Sequence, residues 1–285
     1  MGEQAMNEVV YTSESRLGHP GQLLREMLAD LRASRELAWR LMTRNIRVQY
    51  RRSVLGAAWS FIPAVATAVA LTLATKARIL NVGDTFMPYP AYVLFGMTLW
   101  QTFLDALNGP VQALAAETNL LAKFNVAPEA IVVSKLGEAL FNCLVRSVLV
   151  AAALAWYQVP VAWTALLAPP AVAAMIVLGA GMGLFLAPLS ALYQDVSKTL
   201  AIVTSFGFFL TPVVYPVPTR GLFALLVNLN PVTPLLVTTR ELVTGAPLSQ
   251  PVAFAGVVLL SVVLLLTGWI AYRVSMPIVL ERGRS

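Results

Sequence analysis

Side chains that do chemistry are few and scattered in this sequence. The 285 residues include one histidine, His19, and one cysteine, Cys143, which stands in an apolar stretch. Catalysis and metal binding need several such groups together, and no His/Cys/carboxylate cluster has metal-ligand spacing. None of the four lysines follows a glycine, so the G-x-x-x-x-G-K-[ST] phosphate-binding loop is missing. We therefore predict a protein that is not an enzyme and binds no metal or cofactor itself.

Two charged residues inside apolar stretches, Asp105 and Arg146, are the remaining candidates for chemistry. Ionisable groups in a bilayer are costly and often functional. We expect a structural ion pair between Arg146 and either Glu138, two turns earlier, or Asp105 on another helix. Contact of Arg146 with an anionic substrate is the alternative. An ion-coupled carrier would need more such groups, so the sequence disfavours one.

The composition indicates a membrane protein. Apolar residues make up 58% of the chain and charged residues 12%, about half the charged fraction of an ordinary soluble domain. A bilayer core of ~30 Å needs about 20 apolar residues of helix, and six blocks meet that length. We predict an all-α transmembrane domain over 54–273, with six spans. These are residues 54–75, 90–110, 131–157, 163–189, 197–217 and 251–273.

Lysine and arginine placement orients these spans. With six crossings, 15 of the 20 basic residues fall on the side of the N-terminus, 4 fall on the opposite side, and Arg146 lies within the third span. Basic residues accumulate on the cytoplasmic side of membrane proteins. We therefore predict a multi-pass protein of the inner (cytoplasmic) membrane with both termini, including the tail 274–285, in the cytoplasm.

The segment before the first span has two parts. Residues 1–20 are polar and are predicted to be flexible. In residues 21–52, apolar side chains recur at helical spacing and arginines interleave with them, which is typical of a basic amphipathic helix at a membrane surface. This helix is either a plain surface anchor or an interface helix that also touches a cytoplasmic partner.

Two connecting segments are unusual. Residues 111–130 are predicted to form a cytoplasmic loop with a short helix that Asn125 and Pro128 end. Such a helix suits docking into a partner's groove, and the alternative is a solvated connector. Residues 218–250 are apolar but are interrupted at Asn230-Pro231 and Pro234, which favours a re-entrant pair of half-helices over a surface loop.

Close helix packing is expected in the fourth span. The stretch Gly179–Gly183 (GAGMG) holds two glycines four residues apart. Small residues at this spacing let helix backbones approach one another in a membrane. A dinucleotide site is disfavoured because the strand and the glycine spacing that it requires are absent.

Four stretches resemble, in order, motifs of the permeases of polysaccharide-exporting ABC transporters, which export O-antigen, capsule and teichoic acid. They are RVQYRRSVLGAAWSFIPAV (Arg47–Val65), NLLAKFNVAPEAIVVSKL (Asn119–Leu136), YQDVSKTLAIVTSFGFFLTPVVYP (Tyr193–Pro216) and NPVTPLLVTTRELVTG (Asn230–Gly245). The resemblance extends over roughly residues 35–275. It departs from the family pattern at Gln49, where a basic residue is usual, and at Gln194, where many members carry Arg or His.

The resemblance implies a homodimer of six-span permeases with two ATP-binding cassette subunits, which hold the ATP and Mg²⁺. A lipid-linked polysaccharide is the implied substrate, and nucleic acid is not a partner. The implied coupling helix that docks on the ATPase contains Asn119, Leu120, Leu121, Lys123 and Pro128. The implied bend from the interface helix into the first span contains Arg51, Arg52, Ser53, Gly56 and Trp59. The implied outer exit contains Asn230, Pro231 and Arg240.

Aromatic side chains are candidates for the lining of a glycan pore, because sugar rings have apolar faces that stack on aromatic rings. Packing within the bundle or an interfacial aromatic belt is the alternative reading for each of them. The predicted pore-lining residues are Trp59, Phe61, Phe206, Phe208, Phe209 and Tyr215, of which Phe208 and Tyr215, with Pro212, also match the family motif.

Export of a lipid-linked polysaccharide, driven by a separate ATPase, is therefore the predicted function. An ABC permease for small lipophilic molecules is the alternative within transport. A membrane-embedded transferase acting on lipid-linked sugars is less favoured, because clustered carboxylates or histidines at the membrane surface are absent. A structural scaffold would leave the coupling-helix pattern unexplained.

Overall fold

The computed structural model describes residues 29–51, 59–124 and 128–282, and regular structure within these ranges is helical throughout. The predicted flexible segment 1–20 lies outside the described residues, and so do Arg52, Ser53 and Gly56 of the predicted bend and Asn125 of the predicted loop.

Nine α-helices follow one another along the described chain. A helical segment at 29–33 precedes them, and a 3₁₀-helix at Trp163–Leu167 leads into the fifth. The helices are α1 (Arg35–Arg51), α2 (Ile62–Lys76), α3 (Tyr89–Phe124), α4 (Pro128–Trp156), α5 (Ala168–Leu192), α6 (Gln194–Phe209), α7 (Gly221–Leu229), α8 (Val232–Thr244) and α9 (Pro251–Arg282).

Helix α5 lies at the centre of the bundle, between α3 and α9. A Cβ on Gly179 would lie 2.7 Å from the carbonyl oxygen of Phe103, and one on Gly183 would meet the carbonyl of Leu107. On another face of α5, a Cβ on Gly181 would lie 2.7 Å from the main chain of α9. Backbones approach this closely only where side chains are missing, so the predicted close packing of the glycine stretch is confirmed.

Helix α3 is longer than predicted. It runs for 36 residues and continues through Pro110 to Phe124, so the short helix predicted within 111–130 is the end of α3 rather than a separate element. Proline removes one helical hydrogen bond and bends a helix without always ending it. Here Leu107, Val111 and Leu114 on both sides of Pro110 are buried, and this packing holds the helix together.

Helix α1 packs along α4. Ala38 and Leu41 are buried, and Asn45 donates a hydrogen bond of 2.8 Å to Oε1 of Glu138 on α4. The helix is amphipathic, as the sequence predicted, because its arginines lie on the side away from α4. These arginines line an open groove of about 690 Å³ and are Arg40, Arg44, Arg47 and Arg51.

Three stretches of the described chain are long and apolar enough to cross a membrane: Glu129–Trp156, Trp163–Leu192 and Pro251–Val279. Helices α7 and α8 pass the same test only as a pair, and they meet at an angle of 85°. This bent pair has the broken form that the sequence predicted for 218–250. Helix α2 is apolar but has 15 residues.

Candidate functional site

The corner between α7 and α8 is held by Asn230. Its side-chain amide donates to the carbonyl of Leu210 at 3.2 Å and to Oγ1 of Thr211 at 2.7 Å. Its Oδ1 accepts a hydrogen bond of 3.0 Å from the backbone N–H of Val232. Pro231 follows and fixes the backbone φ of the turn. One asparagine thus closes the corner and ties it to the end of α6.

Arg240 on α8 is buried and is aimed at the segment that follows α6. Its guanidinium donates to the carbonyls of Pro212 at 2.7 Å, Val213 at 2.5 Å and Tyr92 at 3.1 Å. Its Cζ lies 3.8 Å from the centroid of the Tyr92 ring, a distance at which a cation is attracted to the ring face. Arg240, Tyr92, Pro212 and Val213 are called the Arg240 cluster below.

Two tyrosines and a glycine at the start of α3 complete this arrangement. Tyr92 donates to the carbonyl of Tyr215 at 2.9 Å, and Tyr89, one turn earlier, donates to the carbonyl of Val214 at 3.0 Å. A Cβ on Gly96 would collide with the Arg240 guanidinium and the Val213 carbonyl. Sequence reasoning missed all three residues. The only signal was the spacing of the two tyrosines by three residues on one helix face.

An apolar cleft of about 490 Å³ lies between α3, α5, α6 and the bent pair. It is called the aromatic cleft because three aromatic rings are among its lining residues. Its lining includes Trp100, Phe103, Phe206, Gly207, Leu226 and Val232.

Four of the predicted pore aromatics come together in this region. Phe206 lines the aromatic cleft. Phe208 lies edge-on to Trp100, with ring centroids 6.1 Å apart, and contacts Phe209 at 5.5 Å. The Tyr215 hydroxyl donates to the carbonyl of Phe209 at 2.7 Å.

The two other predicted pore aromatics lie elsewhere. Trp59 and Phe61 precede α2, and neither is among the lining residues of the cleft. Trp59 is exposed, and Phe61 is half-buried. The structure therefore groups the aromatics of the fifth predicted span but does not bring those of the first to them.

Asp105 and Arg146 form the ion pair between α3 and α4. Nη1 of Arg146 lies 2.7 Å from Oδ2 of Asp105, and the amide of Asn142 lies 3.5 Å from the same oxygen. Glu138, the other partner considered for Arg146, accepts instead from Lys135 at 2.8 Å. Both members of the pair are largely enclosed, with side chains 9% and 26% exposed.

A second arginine joins three elements at the end of the bundle where α3 ends and α4 begins. Arg273 on α9 donates to Oδ2 of Asp30 at 2.7 Å and to Oε1 of Glu129 at 3.1 Å. Glu129 follows Pro128, the first residue of α4. Arg273, Asp30 and Glu129 are called the Arg273 cluster. Arg273 is one of the 15 basic residues that the sequence predicts on the side of the N-terminus, and no pattern in the sequence pointed to its partners.

The implied coupling residues lie next to this cluster along the chain. Asn119, Leu120, Leu121 and Lys123 belong to the last turns of α3, and Pro128 begins α4. Of the predicted bend, Arg51 is the last residue of α1, and it is exposed.

The fold and these sites define a helical membrane protein in which a bent half-helix pair is anchored to long apolar helices. The profile of the ABC-2 type transporter family matches residues 36–243, and the chain belongs to that family. It is also similar to the O-antigen export system permease protein RfbA of Myxococcus xanthus, with 25% identity over 247 residues, which cover 84% of this chain and 92% of that protein. The resemblance predicted from the four motifs is confirmed, and the family is one of transport components.

Proposed function

We propose that this chain is the membrane subunit of an ABC transporter that exports a lipid-linked polysaccharide, such as O-antigen or capsule, across the inner membrane. The observation that carries the proposal is the similarity to an O-antigen export permease over 84% of the chain. The family match over residues 36–243 supports the transport class independently. A permease for small lipophilic molecules is the second candidate. The similarity to an O-antigen export permease and the four motifs of polysaccharide exporters favour the first.

Six helices cross the membrane in this proposal: α2, α3, α4, α5, α6 and α9. The bent pair α7–α8 enters and leaves the membrane on the outer side, as the six-span topology requires. Its irregular corner is tolerated at membrane depth only where protein or water surrounds it. The burial of ten of the thirteen residues of α8 supports this placement. Both termini lie in the cytoplasm, in agreement with the bias of basic residues.

Helix α3 carries the connection to the ATPase. Its 36 residues correspond to about 54 Å of helix at 1.5 Å per residue, whereas the bilayer core is ~30 Å thick. The excess places the turns containing Asn119, Leu120, Leu121 and Lys123 beyond the membrane, where a separate ATP-binding subunit docks. Nucleotide binding changes the distance between two such subunits and so moves the end of α3. The Arg273 cluster, which joins the start of α4 to α9, transmits this movement to α9.

A second copy of the chain completes the pathway. Helices α2 and α6 expose large apolar side chains, including Val69, Leu73, Val203 and Phe209. In a membrane protein, exposed apolar side chains of this size face lipid or another protein. In the proposed homodimer, with two ATP-binding subunits underneath, the glycan passes between the two copies. The proposed contacts for sugar rings remain the six aromatic residues predicted from the sequence: Trp59, Phe61, Phe206, Phe208, Phe209 and Tyr215.

Deletion of the gene tests the function. In a deletion strain the finished lipid-linked glycan accumulates inside the cell and surface glycan is lost, and expression of the wild-type chain restores surface display. The measurement is extracellular labelling of the glycan together with analysis of extracted lipid-linked intermediates. Normal surface display in the deletion strain contradicts export of polysaccharide.

The coupling assignment has its own test. Replacement of Leu121 by Asp together with Lys123→Glu puts negative charge on the proposed docking helix, and we expect co-purification of the ATP-binding subunit to be lost. The control is Lys76→Glu at the end of α2, on the opposite side of the membrane. Equal recovery of the ATPase with both variants contradicts the assignment.

A further inference from the structure

The segment that joins α4 to α5 carries a group of strongly exposed apolar side chains. Residues 156–167 leave α4, turn, and enter α5 through the 3₁₀-helix Trp163–Leu167. Trp156, Trp163 and Leu166 are exposed by 83%, 80% and 81%. This segment is called the tryptophan turn below. Large apolar side chains that are exposed together in this way mark a contact with lipid or with protein.

The tryptophan turn lies in an uncharged part of the sequence. Residues 147–194 contain no Asp, Glu, Lys or Arg, and no other uncharged stretch of the chain is as long. The connection between α2 and α3, by contrast, contains Arg78 and Asp84, and Arg220 precedes α7. Turns that project into water are normally polar. The composition of the tryptophan turn therefore indicates a place in the membrane surface rather than in water.

The two tryptophans lie at the ends of two apolar stretches that are long enough to cross a membrane. The stretch Glu129–Trp156 ends at the first, and Trp163–Leu192 begins at the second. Tryptophan is enriched at the headgroup level of membranes, because its ring has a large apolar body and an N–H group that reaches water. Both rings therefore lie where α4 leaves the hydrocarbon core and α5 enters it.

Several backbone N–H groups of the turn are satisfied without water. Gln158 has a φ of +53° at the end of α4. Its N–H donates to the carbonyl of Ala155 at 3.1 Å, and the N–H of Val159 donates to the carbonyl of Leu154 at 2.9 Å, in the pattern of a Schellman cap. Three residues near the turn have no N–H, because they are prolines: Pro160, Pro169 and Pro170. A main chain of this kind is suited to a layer that contains little water.

The same turn caps the C-terminal end of α8. The N–H of Ala162 donates to the carbonyl of Val243 at 2.9 Å, and the hydroxyl of Thr164 donates to the carbonyl of Leu242 at 2.6 Å. These carbonyls belong to the last turn of α8, where a helix has no N–H groups of its own to offer them. A Cβ on Gly245, which ends α8 with a φ of +73°, would lie 2.7 Å from Cβ of Ala162. The tryptophan turn is therefore joined directly to the end of the bent pair.

We propose that the tryptophan turn is an anchor in the headgroup layer of the outer leaflet, with phospholipid as its partner. The rings of Trp156 and Trp163 hold the turn at this level, and its two hydrogen bonds to α8 hold the end of the bent pair there as well. The inference goes beyond the proposed function and uses its topology, in which the connection between α4 and α5 lies on the outer side. Arg240 lies within one turn of the capped carbonyls, so the anchor also sets the depth of the Arg240 cluster.

Photolabelling of the wild-type transporter in its membrane tests the contact with lipid. One phosphatidylcholine carries its photoreactive group next to the glycerol, and a second carries it at the end of an acyl chain. Pepsin releases the peptides, since residues 147–194 contain no lysine or arginine for trypsin. We expect the shallow probe to label residues 156–167 more than the deep probe does. Labelling of the turn by neither probe, or equally by both, overturns the proposal and, in the first case, favours burial against a second copy of the chain.

Two cysteine variants measure how much water reaches the turn. Val161→Cys, in the tryptophan turn, and Asp84→Cys, before α3, replace residues that are both exposed, and each is made in a Cys143→Ala background. The thiolate is the reactive form and needs water, so an impermeant maleimide should label Val161→Cys at least about tenfold more slowly than Asp84→Cys in spheroplasts. The two rates should become equal after denaturation. Equal rates in spheroplasts overturn the proposal.

Two substitutions at one position separate anchoring from a requirement for tryptophan itself. Trp163→Tyr keeps an amphipathic ring that suits the headgroup layer, whereas Trp163→Asp puts a charge there. We expect the shallow probe to label the turn of Trp163→Tyr as it labels the wild type, and to label that of Trp163→Asp much less. Equal labelling of the two variants overturns the anchor. None of these measurements depends on the transported molecule, so their failure leaves the export function standing, and normal surface glycan in a deletion strain leaves the anchor standing.

Discussion

The two arginine clusters lie in different parts of the bundle and differ in what they bind. In the Arg240 cluster, a guanidinium that is 1% exposed donates to three main-chain carbonyls. In the Arg273 cluster, an arginine binds the carboxylates of Glu129 and Asp30, and the Asp30 side chain is 46% exposed.

The Arg240 cluster depends on the geometry of the backbone, whereas the Arg273 cluster depends on the attraction between opposite charges. Carbonyl oxygens are fixed by the backbone, so Arg240 holds the segment after α6 against α3 only while that backbone keeps its shape. Ion pairs near the surface are adaptable and are screened by salt. Arg240 therefore fixes α8 against the segment after α6 and the start of α3. In the Arg273 cluster, the contact with Asp30 is the one that solvent and salt reach.

The largest expected effect is that of Arg240→Gln. It removes three hydrogen bonds and leaves buried carbonyl acceptors without donors, and each such acceptor costs about 1–3 kcal/mol. We expect a loss of about 3 kcal/mol or more in the free energy of unfolding, measured by denaturation in detergent. Arg220→Gln, at an exposed arginine just before α7, is the control. Equal stability of the two variants contradicts the role of the Arg240 cluster.

Gly96→Ala is expected to come next. The added methyl group collides with Arg240 and Val213, and overpacking of a tight site costs typically about 1–3 kcal/mol. The melting temperature should decrease, and surface display of glycan should decrease with it. Gly256→Ala, in open space on α9, should behave as the wild type. A melting temperature unchanged by Gly96→Ala would show that the close contact is not maintained in the protein.

The Arg273 cluster should respond less, and unequally at its two acids. Glu129→Gln removes a buried partner and is expected to cost about 1.5 kcal/mol. Asp30→Asn, at the more exposed acid, should cost less than about 1 kcal/mol. Unfolding at low and high salt measures the difference, and salt should weaken the Asp30 contribution more. A larger effect of Asp30→Asn would reverse the assignment of the main partner of Arg273.

The smallest effect is expected at the surface of α1. Arg40 and Glu36 form a 2.6 Å pair with side chains 74% and 72% exposed. Exposed pairs four residues apart contribute about 0.3–0.5 kcal/mol. Glu36→Ala should therefore change the melting temperature by no more than about 1–2 °C. A large decrease would contradict the view that this exposed pair within α1 contributes little to stability.

Part of this arrangement was predictable from the sequence. The break at Asn230-Pro231 was predictable, because proline and asparagine interrupt a helix through their own backbone and side-chain preferences. The corner in the structure lies at these two residues. The close packing of the glycine stretch was predictable because two glycines four residues apart lie on one helix face and let another backbone approach. Arg240 was singled out through the family motif, but its partners are main-chain carbonyls, and these carry no signal in the amino-acid sequence.

Other features depend on tertiary contacts and were not predictable. The continuation of α3 through Pro110 depends on buried neighbours on both sides of the proline. The helix propensity of proline alone therefore wrongly predicted a separate short helix after it. The partner of Arg146 was left open between Glu138 and Asp105, since only the packing of α3 against α4 decides between them. The need for glycine at position 96 follows from the approach of α8, which is distant in the sequence.

The claim that the start of α3 and the end of α3 lie on opposite sides of the membrane is tested most directly by cysteine labelling. Asp84→Cys, before α3, and Asn125→Cys, after it, are each placed in a Cys143→Ala background and treated with a membrane-impermeant maleimide. The account predicts labelling of Asp84→Cys only in right-side-out spheroplasts and of Asn125→Cys only in inverted vesicles. Labelling of Asn125→Cys only in spheroplasts would contradict it.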